Sequence, residues 1–300
     1  MLDRTEGPQV KALTSFPLLK AHTQKLSNGL PLHFLKSGSQ DVVKIELVYN
    51  AGNYYEPLSG LAFLATKMLN EGTKSLTSKA LAEKIAYYGA SIELYPGNDK
   101  VSVSLIALTK HLPYLLPVIN EMLKDSMFPE ENFENLKRIQ SQQLLVNLEK
   151  TSYQAAGLFK KNIFGENHPY GYFLDLETIN KLSLSDTQAY YNGKIRENSF
   201  EIIASGMIND GVIKDIDRIF GIEKMKFPTS ITIKKEARGS GKNKIVWPKE
   251  DSSQCSIRVG RKLSSAMRST RRLLWLSLNE KYQRGERLNL WYLFSNGKHD

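Results

Sequence analysis

Three hundred residues are enough for one large domain or two ordinary ones, with ample chain to bury a core. A hydrophobic share of 41% beside 24% charged residues is that of an ordinary soluble chain, and no apolar run approaches the roughly 20 residues of a membrane-spanning helix. Residues 1–19 carry Asp3, Arg4, Glu6 and Lys11 without an apolar stretch, so no secretory signal, no membrane partner and a cytoplasmic location are expected. The single cysteine, Cys255, excludes an internal disulfide and a thiolate metal site, and it reads as a small buried residue. The net charge of +10 raises the question of nucleic acid, but its distribution argues against that partner. From residue 234 onward there are 16 of the 41 Lys and Arg but only 6 of the 31 Asp and Glu, so residues 1–233 hold 25 of each sign and are neutral.

In chain order, Asn28-Gly29 predicts a hairpin turn ahead of a strand over 30–35. Val43, Ile45, Leu47 and Tyr49 alternate as in a half-buried strand. Leu61, Leu64, Ala65, Met68 and Leu69 form one apolar stripe on a helix over 59–69, stopped by Gly72. A helix over 77–88 follows, with Leu81, Ile85 and Tyr88 inward. Strands over 91–95 and 101–107 flank the turn residues Pro96-Gly97-Asn98-Asp99. Helices are expected over 110–124, 130–149, 152–163, 185–192 and 210–220, with a strand over 200–204. Glu130 and Glu131, after Pro129, suit a helix N-terminus, and His168 before Pro169 suits a turn. The stretch 222–243 has no periodicity and reads as a linker, and a new strand is expected over 256–259. The divisions are therefore an extension over 1–22, a domain over 23–221, the linker, and the start of a second domain over 244–263.

Local phrasing carries more than element order. Gly60-Leu61-Ala62 with Met68-Leu69-Asn70-Glu71-Gly72-Thr73, then Gly89-Ala90-Ser91-Ile92, then Asn167-His168-Pro169-Tyr170-Gly171 with Leu176-Glu177-Thr178-Ile179 together resemble the pitrilysin/insulinase family of zinc peptidases over residues 23–262. The resemblance implies an α+β fold like that of the processing peptidases, a mainly antiparallel sheet with helices on one face, built as one complete domain plus the start of a homologous second. Active members carry His-x-x-Glu-His on the first helix, which sets two imidazoles one turn apart and a glutamate to activate the zinc-bound water. The matching positions here are Phe63, Thr66 and Lys67, expected on the face opposite the apolar stripe; the third ligand falls at Gln143 or Leu144. None is a zinc ligand of the required kind, and Phe63 and Lys67 also suit a plain solvated helix face. His22, His33, His111, His168 and His299 show no ligand spacing.

The expectation is therefore a non-catalytic subunit that holds no cofactor itself. It would pair with a zinc-bearing subunit of the same family and help it process peptides. A peptide substrate would add as a strand along the edge at 91–95, with Glu93 and Leu94 the substrate-binding positions. A stand-alone peptide-binding scaffold and a zinc peptidase with other ligands are the alternatives. The basic tail has its own reading. Back-translated with permissible codons and shifted by one nucleotide, residues 273–294 contain Arg-Glu-Glu-Lys-Gly-Leu-Thr-Tyr, which resembles the family's second-domain segment with its substrate-contacting Arg and Tyr. Residues 264–300 are accordingly expected to be out-of-frame sequence on a truncated second domain.

Overall fold

The computed structural model describes residues 19–227, 239, 241, 244–250 and 252–260. The expectations for the tail over 264–300 lie outside them. Among the described residues six strands form one sheet: β1 (His22–Lys25), β2 (Pro31–Lys36), β3 (Val42–Tyr49), β4 (Ser91–Pro96), β5 (Val101–Leu108) and β6 (Glu201–Gly206). Their spatial order is β1-β2-β6-β3-β5-β4, antiparallel throughout except for the β2–β6 pair. The alternation read in the sequence sets the faces. Leu32 lies opposite Ile202, Ile45 opposite both Ala204 and Leu105, and Leu47 and Leu94 both oppose Val103. All eight are buried and make one apolar face, while Lys44, Glu46 and Glu93 go to the other.

Among the described residues are eight helices: α1 (Leu61–Met68), α2 (Ser78–Tyr87), α3 (Leu112–Lys124), α4 (Glu130–Leu148), α5 (Thr151–Phe164), α6 (Leu176–Lys181), α7 (Leu184–Tyr191) and α8 (Asp210–Phe220). Of these, α1, α2 and α3 pack on the sheet. The mixed fold with a mainly antiparallel sheet agrees with the expectation. α2, α7 and α8 begin on Thr77, Ser183 and Asn209, each accepting a first-turn amide through its side chain. Glu130 and Glu131 do sit in the first turn of α4. α6 was not foreseen; Asp175 caps it by accepting from the Thr178 amide at 2.7 Å. The hairpin at Asn28-Gly29 is the three-residue form: Leu26 and Leu30 pair and are buried, and Gly29 takes φ +91°.

Two expectations fail. Residues 252–260 form no strand, because no neighbouring backbone among the described residues pairs with them. Cys255 is exposed for the same reason, since no second sheet face among the described residues covers it. The backbone of Lys226 still bonds to Glu197 and Ser199, so 223–227 continues against the domain. The described residues up to Ser256 belong to one compact unit, and those from Ile257 to a second.

Candidate functional site

The first helix is built to be enclosed. Gly60 precedes it at φ +104°, a conformation that costs a side-chain-bearing residue strain and leaves no capping side chain at that position. Glu56 substitutes from four residues earlier. Its carboxylate accepts from the Gly60 amide at 3.1 Å and the Ala62 amide at 2.9 Å, placing negative charge at the positive end of the helix. On the far side the Tyr190 hydroxyl donates to the Ala51 carbonyl at 2.6 Å, and the Tyr191 hydroxyl donates to the Leu123 carbonyl at 3.0 Å. Burial pushes the Tyr191 phenol up to about 12, so it stays a neutral donor.

Leu61, Ala62, Leu64, Ala65, Thr66, Met68 and Leu69 are all buried, which leaves Phe63, Lys67 and Asn70 as the one accessible stripe of α1. The expected grouping of Phe63, Thr66 and Lys67 on an open face therefore needs correction. Thr66 is fully buried and donates its hydroxyl to the Ala62 carbonyl at 2.6 Å, because α1 packs against α4 and α7 as well as the sheet. Phe63 is half-buried against the core. Lys67 is half-buried, and its ammonium donates to the Leu94 carbonyl at 3.1 Å.

That contact joins the accessible stripe of α1 to β4, which is an edge strand of the sheet. The two expected substrate positions diverge there. Leu94 is buried on the apolar face, whereas Glu93 is exposed on the other face and ion-pairs with Lys44 at 3.7 Å. A peptide meeting this edge would be bound by backbone groups, with Glu93 and Leu94 pointing to opposite sides. Gln143 is exposed on α4 beside buried Leu144, and one turn earlier the Gln140 Oε1 is buried without a partner.

These residues do not fit a zinc ion. A phenyl ring has no donor atom, the Thr66 hydroxyl is buried and committed to Ala62, and the Lys67 ammonium is cationic and bound to a carbonyl. Among the described residues no three of His, Cys, Asp and Glu gather in an arrangement that could hold a metal. The described histidines have local contacts instead: His33 with Thr23, His22 on Phe34, His111 on Tyr88, and His168 accepting at Nδ1 from the Tyr170 amide. His299 lies outside the described residues. No described helix is long and apolar enough to cross a membrane.

What the sequence did not reveal is the Lys67–Leu94 contact and the Glu56 cap. A lysine on a helix gives no hint of a carbonyl 27 residues away, and a cap normally sits at the helix start rather than four residues before it.

Comparison with known proteins places this geometry. Residues 34–163 match the model described as "Insulinase (Peptidase family M16)". An "Uncharacterized zinc protease" of Rickettsia bellii is 25% identical over 207 residues, covering 66% of this chain and 49% of that protein. The "Mitochondrial-processing peptidase subunit alpha-1" of Dictyostelium discoideum is 26% identical over 217 residues, 67% of this chain and 31% of that protein. The crystal structure of a "peptidase M16 inactive domain" from Pseudomonas fluorescens superimposes with a TM-score of 0.61 at 20% identity, over 67% of this chain and 49% of that one. The chain spans about half or less of the length of these relatives.

Proposed function

We propose, from the match of residues 34–163 to the insulinase family (peptidase family M16), that the chain is a non-catalytic subunit that holds extended peptides for a zinc-bearing member of the same family. The observation that carries this reading is the state of α1. At the position where active members place their second histidine stands Lys67, whose ammonium is bonded to the Leu94 carbonyl of the edge strand. The helix is thus tied to the peptide-accepting edge and supplies no metal-activated water. Relatives named as a subunit of a processing peptidase and as an inactive domain accord with a supporting role; in this reading the zinc belongs to a partner chain.

The peptide would add to β4 as a further antiparallel or parallel strand, using the backbone groups that β5 leaves unpaired. Hydrogen exchange on the purified chain tests this with an unstructured peptide in excess. Slowed exchange at residues 91–96 is expected. Unchanged exchange there, at peptide concentrations that saturate the zinc-bearing partner, would remove the peptide-holding role. Binding of peptide with no effect on any zinc-bearing subunit would favour the stand-alone scaffold.

A further inference from the structure

A second feature lies away from β4, along α5. Residues Leu148, Leu158, Phe173, Pro57 and Pro169 line an apolar groove with a cavity of about 750 Å³, within the range that takes a ligand-sized group. None of β4 contributes to it. Two glycines let its walls pack closely. A Cβ on Gly157 of α5 would stand 2.2 Å from the Phe173 ring, and one on Gly171 would stand 2.0 Å from the Gly165 carbonyl oxygen. The charged side chains on the lining are Glu56, Glu166 and Asp175 against Lys161, which pairs with Glu166 at 2.5 Å, so the rim is acidic. His168 also lines it, with Nδ1 taken by Tyr170.

The chain itself shows what this groove accepts. Gly239 lies against the carbonyls of Asn162 and Ile163 at the C-terminal end of α5, so closely that a Cβ would be 2.2 Å from the first. Trp247 lines the cavity, and the Lys249 ammonium reaches the other end of the helix. There it donates to the Glu149 carbonyl and to the Glu149 carboxylate, each at 2.8 Å. The aromatic ring thus sits over the apolar floor and the lysine two positions on meets the acid and the free carbonyl at the α4 C-terminus. Trp247 nevertheless keeps 65% of its surface exposed, so it covers the mouth and leaves the cavity unfilled.

We propose that this groove is a docking site for an extended peptide bearing an aromatic residue two positions before a lysine, and that residues 245–250 lie across its mouth in cis, with Trp247 over the cavity and Lys249 on Glu149. The site is separate from the β4 edge, so either can fail without the other. A cis segment competes at an effective concentration on the order of millimolar, and its removal should raise affinity for the same sequence added in trans.

The test titrates a fluorescein-labelled hexapeptide, Ile-Val-Trp-Pro-Lys-Glu, into the full chain and into a Trp247→Ala/Lys249→Ala variant, followed by anisotropy. Both substituted side chains lie in an irregular segment, and circular dichroism checks that the variant keeps its fold; Trp247→Ala alone serves as a second, milder release. The released variants should bind about tenfold or more tightly than the parent, and a Glu149→Lys substitution in the released variant should undo the gain. Peptides with Trp or Lys replaced by Ala should bind at least about tenfold more weakly. Equal affinity for parent and released variants, no binding to the released variants, or indifference to the Trp and Lys of the peptide would each overturn the proposal.

Discussion

Replacing Glu56 by alanine removes the carboxylate that accepts hydrogen bonds from the Gly60 and Ala62 amides at the start of α1, at 3.1 and 2.9 Å. Hydrogen bonds to a charged group contribute about 1.5–3 kcal/mol each, and the charge at a helix N-terminus adds about 0.3–1 kcal/mol. The two amides share one side chain and their contributions overlap, which argues for a total near the lower sum, about 3–4 kcal/mol. Ala62 is fully buried, so water cannot readily replace the lost acceptor. Glutamine keeps one acceptor oxygen and the volume, so Glu56→Gln should cost about 1–2 kcal/mol. Urea unfolding followed at 222 nm gives both values, with an unchanged denaturant slope expected because the same surface is exposed. A Glu56→Ala loss below about 1 kcal/mol would refute the idea that this carboxylate is what starts α1.

Other consequences follow from the same contacts. Lys67→Met keeps the aliphatic stem and removes the donor to Leu94; a loss of about 1–2 kcal/mol with faster exchange of the β4 amides is expected, and no change in either would show the contact to be incidental. Thr66→Glu places a carboxylate in a fully buried position and should cost about 3 kcal/mol or more, so unaltered stability would contradict the enclosure of α1. In Phe63→His/Thr66→Glu/Lys67→His, zinc affinity measured by equilibrium dialysis should rise when Gln143→Glu is added; equal affinity would show that Gln143 is not the third position. Glu149 is held below the usual carboxylate range, first by the hydrogen bond from Lys249 and then by its charge. A depressed carboxyl favours the folded contact above its ordinary pKa and loses it as pH falls through the lowered value. Trp247 emission in a Trp275→Phe/Trp291→Phe background should therefore change only below about pH 4, and a transition between pH 5 and 8 would contradict the pairing.

The parts of the fold that depend on short periods were legible. β3 buries Val43, Ile45, Leu47 and Tyr49 as their alternation implies, and the helices fall where apolar stripes and capping residues place them. What depended on partners was not. The strand expected over 256–259 has the right residues but needs a neighbouring backbone that the described chain does not offer. Thr66 looked like part of an open face because one helix read alone has a stripe and a back; α4 and α7 cover that back. α6 escaped notice because six residues are too few for periodicity to speak, although its Asp175 cap was present in the sequence. Within the candidate site, the side chains at Phe63, Thr66 and Lys67 could be read directly, whereas the bond from Lys67 to Leu94 is a tertiary fact.

The most direct measurement combines the purified chain with a zinc-bearing insulinase-family subunit from the same organism and follows hydrolysis of a fluorogenic peptide. The chain alone should cleave nothing, with or without added zinc, while the partner's rate should rise on adding it and fall again when β4 is blocked by excess unstructured peptide. Chelator-sensitive cleavage by the chain alone, or a partner whose rate is indifferent to the chain, would contradict a non-catalytic, peptide-holding role.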